Sequence, residues 1–308
     1  MNSSLAERFF PTAFVLAFAL ALSGHAQNLA GDEALSKILI EGEGWQEVAS
    51  GYQLTDAACA DAEGNFYFTD AARGTTVNRI SPDGKVSVFL NDTPRISGMK
   101  FGPDGRLYAC VGQKKQIVAL EIPSGKMTVI AENLQPNDLV VTRNGNIYLT
   151  ETGKHQVTLI EPGGKVRAVD NSVKAPNGIT LSPDQGTLAV SDYAGTNVWT
   201  YRIESDGSLS AAAPYMTMRA PVSKPEVAAG DGMTTDAQGR YYVTSAMGVQ
   251  MFDWTGRMGG VLARPQNKGM VSVAFAGPGL EYLYVCCSDK VYRRKTKTTG
   301  IPPARASK

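Results

Sequence analysis

Two asparagines in this chain stand 40 residues apart in nearly the same local text. Asn137 follows Pro136 and opens NDLVVTRNGNIYLTE, and Asn177 follows Pro176 and opens NGITLSPDQGTLAVSD. Asp56, opening DAACADAEGNFYFTD, and Asp231, opening DGMTTDAQGRYYVTS, begin two further stretches of the same design. Two carboxylates and two carboxamides, if folded together, make an all-oxygen donor set. Such a set suits a hard divalent cation such as calcium or magnesium and offers nothing soft to zinc or copper. Asn and Asp ahead of a strand are also ordinary turn formers that bond their own backbone. Four of them in one register favour the shared site.

The elements that would position them form an internal repeat. Ser97 opens SGMKFGPDGRLYACV and Val271 opens VSVAFAGPGLEYLYVCC, so six copies begin at residues 56, 97, 137, 177, 231 and 271. The one long step, before Asp231, reads as a single insertion. Each copy is a short apolar strand, a Gly-bearing turn (AEGN, PDGR, RNGN) and a second strand rich in Tyr, Phe, Val and Leu, followed by a second strand pair such as VNRISPDGKVSVFL. Four strands in about forty residues match one propeller blade. The sixth copy lacks a fourth strand, and residues 44–53, GWQEVASGYQ, resemble the missing piece. The fold expected is therefore all-β: a six-bladed β-propeller, four strands per blade, the ring closed by an N-terminal strand, which removes open sheet edges. Residues 44–298 form the propeller, 27–43 a lead-in and 299–308 a tail. Arg293, Arg294 and Lys295 are expected on a solvated outer strand running into disorder. Trp45, Trp199 and Trp254 are expected in packing between blades.

The first strand of a blade lines the central tunnel, so the six openers should ring one mouth. The second strand returns to that mouth, and its end residues include Asp70, Glu151 and Asp192. These three could join the ligands, bind substrate hydroxyls or orient the inner ring, or simply begin turns. Asp138 is displaced by one residue from the shared register and reads as a turn residue or outer partner. His155, in TGKHQ, reads as a surface loop residue.

The 308 residues are 43% apolar and 19% charged, with a formal net charge of +1. That balance argues against nucleic-acid or polybasic membrane binding and leaves a small molecule as the expected partner. Residues 1–26, with Arg8 ahead of FFPTAFVLAFALAL and small residues before a cut after Ala26, read as a secretory signal peptide. The location expected is periplasmic or secreted, with no membrane span in the mature chain, and a monomer. Cys59, Cys110, Cys286 and Cys287 match no zinc spacing. They read either as buried small residues or as one bridge from Cys59 to Cys286 or Cys287.

At PNDLVV, PNGITLSPD and GDGMTTDAQGRYYV, three motifs in order at blade spacing, the sequence resembles the gluconolactonase family of six-bladed propellers. That family includes regucalcin (senescence marker protein), with diisopropyl fluorophosphatase more distant. The resemblance spans about residues 44–298. It implies one divalent cation in the tunnel, calcium first, with magnesium, manganese or zinc as alternatives. By motif its ligands would be Asp56, Asn137, Asn177 and Asp231, with Asp231 also the catalytic carboxylate. The chain departs from the family in three places: Asp56 stands where Glu is usual, Gln135 where regucalcin-like members carry an Arg, and MVSVAF lacks a sixth-blade Asn. The activity implied is hydrolysis of a sugar lactone or similar cyclic ester. A phosphotriesterase-like hydrolase, or a non-catalytic propeller binding a ligand or protein around a structural ion, are the alternatives.

Overall fold

The computed structural model describes residues 29–30 and 33–303. The expected signal peptide, residues 1–26, and tail residues 304–308 lie outside the described residues. Six antiparallel sheets make six blades, each with its first strand innermost. The first strands are Thr55–Ala60, Met99–Phe101, Leu139–Val141, Pro176–Leu181, Met233–Thr235 and Met270–Ala276, which begin at or within two residues of the openers. The second strands, Phe66–Asp70, Leu107–Val111, Ile147–Glu151, Thr187–Asp192, Tyr241–Ser245 and Tyr282–Cys287, run back to the opener mouth.

Local chemistry explains the inner hairpins. Gly64, Gly105, Gly145 and Gly239 take φ of 80–85° in the turn between first and second strands, a left-handed region that glycine enters without steric cost. Aspartates fasten these turns: Asp61 accepts the Glu63 and Asn65 N–H groups, and Asp236 those of Gln238 and Arg240. The tyrosine two residues beyond the turn bonds the same carboxylate, as in Tyr67 to Asp61 and Tyr242 to Asp236.

The apolar core lies between blades. Each of six clusters joins two neighbours around the ring, for example Tyr67, Val77, Met99 and Val118 between blades one and two. Phe66 of blade one stacks on Tyr284 of blade six with ring centroids 4.6 Å apart. Closure is by Gln46–Ser50, the outer strand of blade six beside Lys290–Lys295, as the sequence leads one to expect. The long step before Asp231 contains the strand Leu209–Thr217 of blade four and a connection over 218–230 along the opener mouth. Its ends are tied by Gln250 to both backbone groups of Arg219 and by Ala228 N–H to the Gly195 carbonyl.

Three expectations need correction. The lead-in is built into the fold: Leu29–Ala30 adds a fifth strand to blade five, and the helix Glu33–Ile38 buries Leu35 and Ile38 among Tyr242, Leu262, Phe275 and Tyr292. The basic C-terminal stretch is only partly solvated, with Arg293 and Lys295 half-exposed and Arg294 buried. Lys290–Lys295 is the third strand of blade six, and strand alternation turns Arg294 inward, where it donates to the Glu43 carbonyl at 2.7 Å. Beyond it, buried Thr298 bonds Asp236 at 3.0 Å, and residues 301–303 line a cavity at the opposite mouth with Lys100 and Phe101. Trp45 and Trp199 pack against core clusters, but Trp254 sits in a hairpin turn, 71% exposed, and blade four reaches it through Tyr215, whose hydroxyl donates to the Trp254 carbonyl at 3.4 Å.

Leu35→Ala and Ile38→Ala are each expected to lose about 2–5 kcal/mol of stability in urea unfolding. A loss below about 0.5 kcal/mol, the range of an exposed surface substitution, would show that the helix does not belong to the core.

Candidate active site

Hydrogen bonds from blade to blade hold the openers. Ser97 Oγ donates to the Asn137 carbonyl at 2.8 Å, Thr150 Oγ1 to that of Asn177, and Ser191 Oγ to that of Asp231 at 2.8 Å. The Gly232 N–H donates to the Val271 carbonyl at 2.8 Å, and the Cys286 thiol lies 3.8 Å from the Asp56 carbonyl. In every case the donor belongs to the preceding blade. Thr69 of blade one reaches Ile96, one residue short of Ser97, at 3.1 Å. Thr69, Thr150, Ser191 and Cys286 are all next to last in their second strands, a position that points across at the neighbouring blade.

This close approach leaves no room behind the openers. Gly98, Gly178 and Gly232 follow the openers of blades two, four and five. A Cβ on Gly178 would strike the Asp231 carbonyl, and one on Gly232 would sit 2.7 Å from that of Val271. Blade three carries Asp138 at the same position. Its carboxylate lies against Gly98, where a Cβ would be 2.6 Å from Oδ1. It accepts the Leu139 N–H at 2.8 Å and the Ile179 N–H of blade four at 3.4 Å. Asp138 is therefore inside the site. The signal in the sequence was an Asp at a position where three other blades carry Gly.

A cavity of about 270 Å³ opens at this mouth, lined by Asp56, Asn137, Asp138, Asn177 and Asp231, with Ser97, Leu54, Tyr193 and Ser272 beside them. Four openers singled out by register are thus brought together. Three carboxylates share the cavity, and none has an ion-pair partner among the described residues. Burial pushes Asp56 up to about 7, opposed by the Ala57 N–H and reinforced by Asp138. Burial, then repulsion from Asp56 and Asp138, pushes Asp231 well above the usual carboxylate range. Asp138 is raised by burial, with Lys100 and the two N–H groups opposing. Among the described residues no hydrogen bond engages the carboxamides of Asn137 or Asn177, so neither caps its own turn.

Asp70, Glu151 and Asp192 do not line the cavity. They turn to the backbone of the loops that lead into the first strands. Asp70 accepts the Gln53 and Leu54 N–H groups, each at 3.0 Å, Glu151 that of Gln135 at 2.6 Å, and Asp192 that of Ala175 at 3.0 Å. Glu151 is fully buried. Burial alone would raise it, but Lys154 at 2.8 Å, Thr158 and the Gln135 N–H outweigh that and hold it below the usual range. Gln135 itself is exposed, its amide oxygen over Gly153. His155 is tied through Nδ1 to the Lys174 carbonyl, away from the cavity. All four cysteines are buried free thiols, and burial pushes Cys59 up to about 12, which leaves it inert as a nucleophile.

The profile of the SMP-30/gluconolactonase/LRE-like region family matches residues 54–289, about three-quarters of the chain. The chain belongs to this family. It is similar to the gluconolactonase of Zymomonas mobilis, 25% identical over 290 residues that cover 82% of this chain and 81% of that protein. In structure it is similar to the gluconolactonase of Xanthomonas campestris, with a TM-score of 0.76 at 20% identity over 87% of this chain and 94% of that one. The calcium-binding regucalcin of Agrobacterium tumefaciens gives 0.69 at 16% identity over 85% and 98%. The two solved structures share the fold of this chain. No helix among the described residues is long and apolar enough to cross a membrane.

Two outcomes test the site. Asp56 keeps its proton in the folded chain at pH values where an unfolded carboxyl, near 3.9, has lost it. Without a cation, its contribution to stability therefore falls as pH rises from about 4 to about 7. Chelated protein should melt several degrees lower at about pH 7.5 than at about pH 5, and Asp56→Asn should flatten the difference, by thermal circular dichroism. Gly178→Ala should cost about 1–3 kcal/mol in chemical unfolding, because the new Cβ displaces the Asp231 carbonyl.

Proposed function

We propose that this family member is an exported, divalent-metal-dependent hydrolase that opens a sugar lactone or a similar cyclic ester. The observation that carries the reading is the convergence of Asp56, Asp138 and Asp231 with two unbonded carboxamides in one mouth cavity. The relatives named gluconolactonase support the substrate class.

The residues present fit a hard cation. Three carboxylates are raised by burial, Asp56 and Asp231 also by carboxylate repulsion, and none is ion-paired among the described residues, where Asn137 and Asn177 offer free oxygens. No group of three or more His, Cys, Asp and Glu forms a metal cluster among the described residues, so a site here depends on the carboxamides. Asp56, Asn137, Asn177 and Asp231 would hold the ion, calcium first, with magnesium, manganese or zinc as alternatives. Asp56 reaches less far than the Glu usual in the family, which leaves room for a water. When bound, the cation supplies Lewis acidity to the carbonyl oxygen of the substrate.

Asp231 acts as the base. Its main chain is clamped by Ser191 and by its own N–H on the Thr244 carbonyl at 2.9 Å, so its carboxylate is presented from a fixed point. Opposite charge beside it favours the ionised form. The carboxylate takes a proton from water as the water oxygen bonds to the lactone carbonyl carbon. The ring C–O bond then breaks, and the leaving oxygen takes up a proton to give the hydroxy acid. Export rests on residues 1–26, whose short apolar run and small residues before the cut after Ala26 fit a signal peptide.

Purified mature protein should hydrolyse members of an aldonolactone panel once calcium, magnesium, manganese or zinc is added. Asp231→Asn should lower kcat by about 10²–10⁴, the range of a lost general base, with an unchanged circular dichroism spectrum. Full activity in that variant would sink the mechanism. Faster turnover of organophosphate triesters than of lactones would move the substrate class to phosphotriesters.

A further inference from the structure

Beside the tunnel cavity lies a second one, of about 380 Å³, lined by Arg95, Ser97, Gly112, Gln113, Pro136 and Asn137. The two cavities share Ser97 and Asn137, so a molecule seated over Asn137 can extend from one into the other. Arg95 stands two residues ahead of the blade-two opener, the same place that Gln135 holds in blade three. The backbone around it is fixed. Ile96 is buried and its carbonyl accepts from Thr69, while Ser97 N–H donates to the Cys110 carbonyl at 3.2 Å.

Two other cations on this face are engaged by acids. Arg73 pairs with Asp70 at 3.6 Å and Lys154 with Glu151 at 2.8 Å. Arg95 has neither a hydrogen bond nor an ion pair among the described residues. Its charge nevertheless reaches the tunnel, since it is among the groups that favour ionisation of Asp56. A guanidinium presents a planar fork of donors that matches a carboxylate bidentately. An exposed Arg held on a rigid loop, unpaired among the described residues and lining a cavity that shares Ser97 and Asn137 with the tunnel cavity, is equipped to recognise an anionic group at a set distance from the reacting carbonyl.

We propose that Arg95 is a substrate-binding, specificity-determining residue, and that the substrate is a lactone carrying a second, anionic group, a carboxylate, in the side cavity. This rests on the lactone-hydrolase reading and narrows it from sugar lactones in general to acid lactones. Gln113 supplies the neighbouring amide, and Gln135, one blade on, is free of that task. The lactone carbonyl then lies over Asn137 and Asp231, while the carboxylate pairs with the guanidinium.

The test compares glucaric acid monolactone with the neutral gluconic acid lactone on calcium-loaded protein. A second measurement, calorimetric binding of glucarate to the calcium-loaded and the chelated protein, does not depend on turnover. Wild type should favour the acid lactone in kcat/KM. Arg95→Met should reduce that preference by about ten- to a hundredfold, the range of a charge-assisted hydrogen bond, mainly through KM, and Arg95→Lys should restore part of it. Glucarate binding should weaken by a similar factor in Arg95→Met. If no lactone is hydrolysed but glucarate binding still falls in Arg95→Met, the hydrolase reading fails and the anion subsite stands. Equal lactone preference and equal glucarate binding in wild type and Arg95→Met overturn the proposal. A phosphorylated sugar acid bound more tightly than glucarate, with the same dependence on Arg95, overturns the choice of carboxylate.

Discussion

The arrangement rests on one repeated contact: a donor on one blade bonded to the opener carbonyl of the next. Ser97, Thr150 and Ser191 do this with hydroxyls, Gly232 with its N–H and Cys286 with its thiol. Apolar packing between blades sets their separation but is non-directional. A hydrogen bond has a length and an angle. It therefore converts a loosely wedged ring into one where side chains from four blades meet at a defined place. Glycine behind the openers of blades two, four and five is the steric condition for that contact, because a Cβ there would meet the neighbouring backbone or the Asp138 side chain.

The same convergence has an electrostatic cost. Asp56, Asp138 and Asp231 are pressed together in a cavity with their nearest compensation in Lys100, Arg95 and a few N–H groups. Burying like charges without pairing is unfavourable, and the surrounding structure sustains it through independent anchors. Asp70, Glu151 and Asp192 each lock the loop that leads into an opener by accepting its N–H groups. These outer acids are satisfied and the inner ones are not. That contrast separates groups that hold the frame from groups left available to a ligand.

Much of this was legible in the residues. The forty-residue echo between Asn137 and Asn177 gives the blade period, and the alternating strands with Gly turns give the hairpins. Asp56, Asn137, Asn177 and Asp231 follow once the period is aligned. Asp138 was harder to see because strand alternation places residue 138 off the shared register. The loop ahead of Leu139–Val141 is irregular, and only the space left by Gly98 across the blade boundary admits its side chain. Arg294 was misplaced for a related reason: KVYRRK reads as basic and solvated, yet the half-buried carbonyl of Glu43, 251 residues away in sequence, receives the guanidinium.

What the sequence by itself determined is everything carried by local periodicity: six repeats, four strands each, and the identity of the opener in every copy. Those properties depend on turn geometry and on which face of a strand is apolar, both set within about fifteen residues. Only the tertiary structure decided which polar groups are spent and which remain free. Asp70 and Asp138 are the same residue type near the same mouth, yet one accepts two N–H groups of its lead-in loop and the other enters the cavity. The difference lies in what surrounds each: the N–H groups of the lead-in loop of its own blade in one case, the space beside a glycine of the neighbouring blade in the other. Neighbouring blades meet across forty residues or more of chain, beyond the reach of any local pattern.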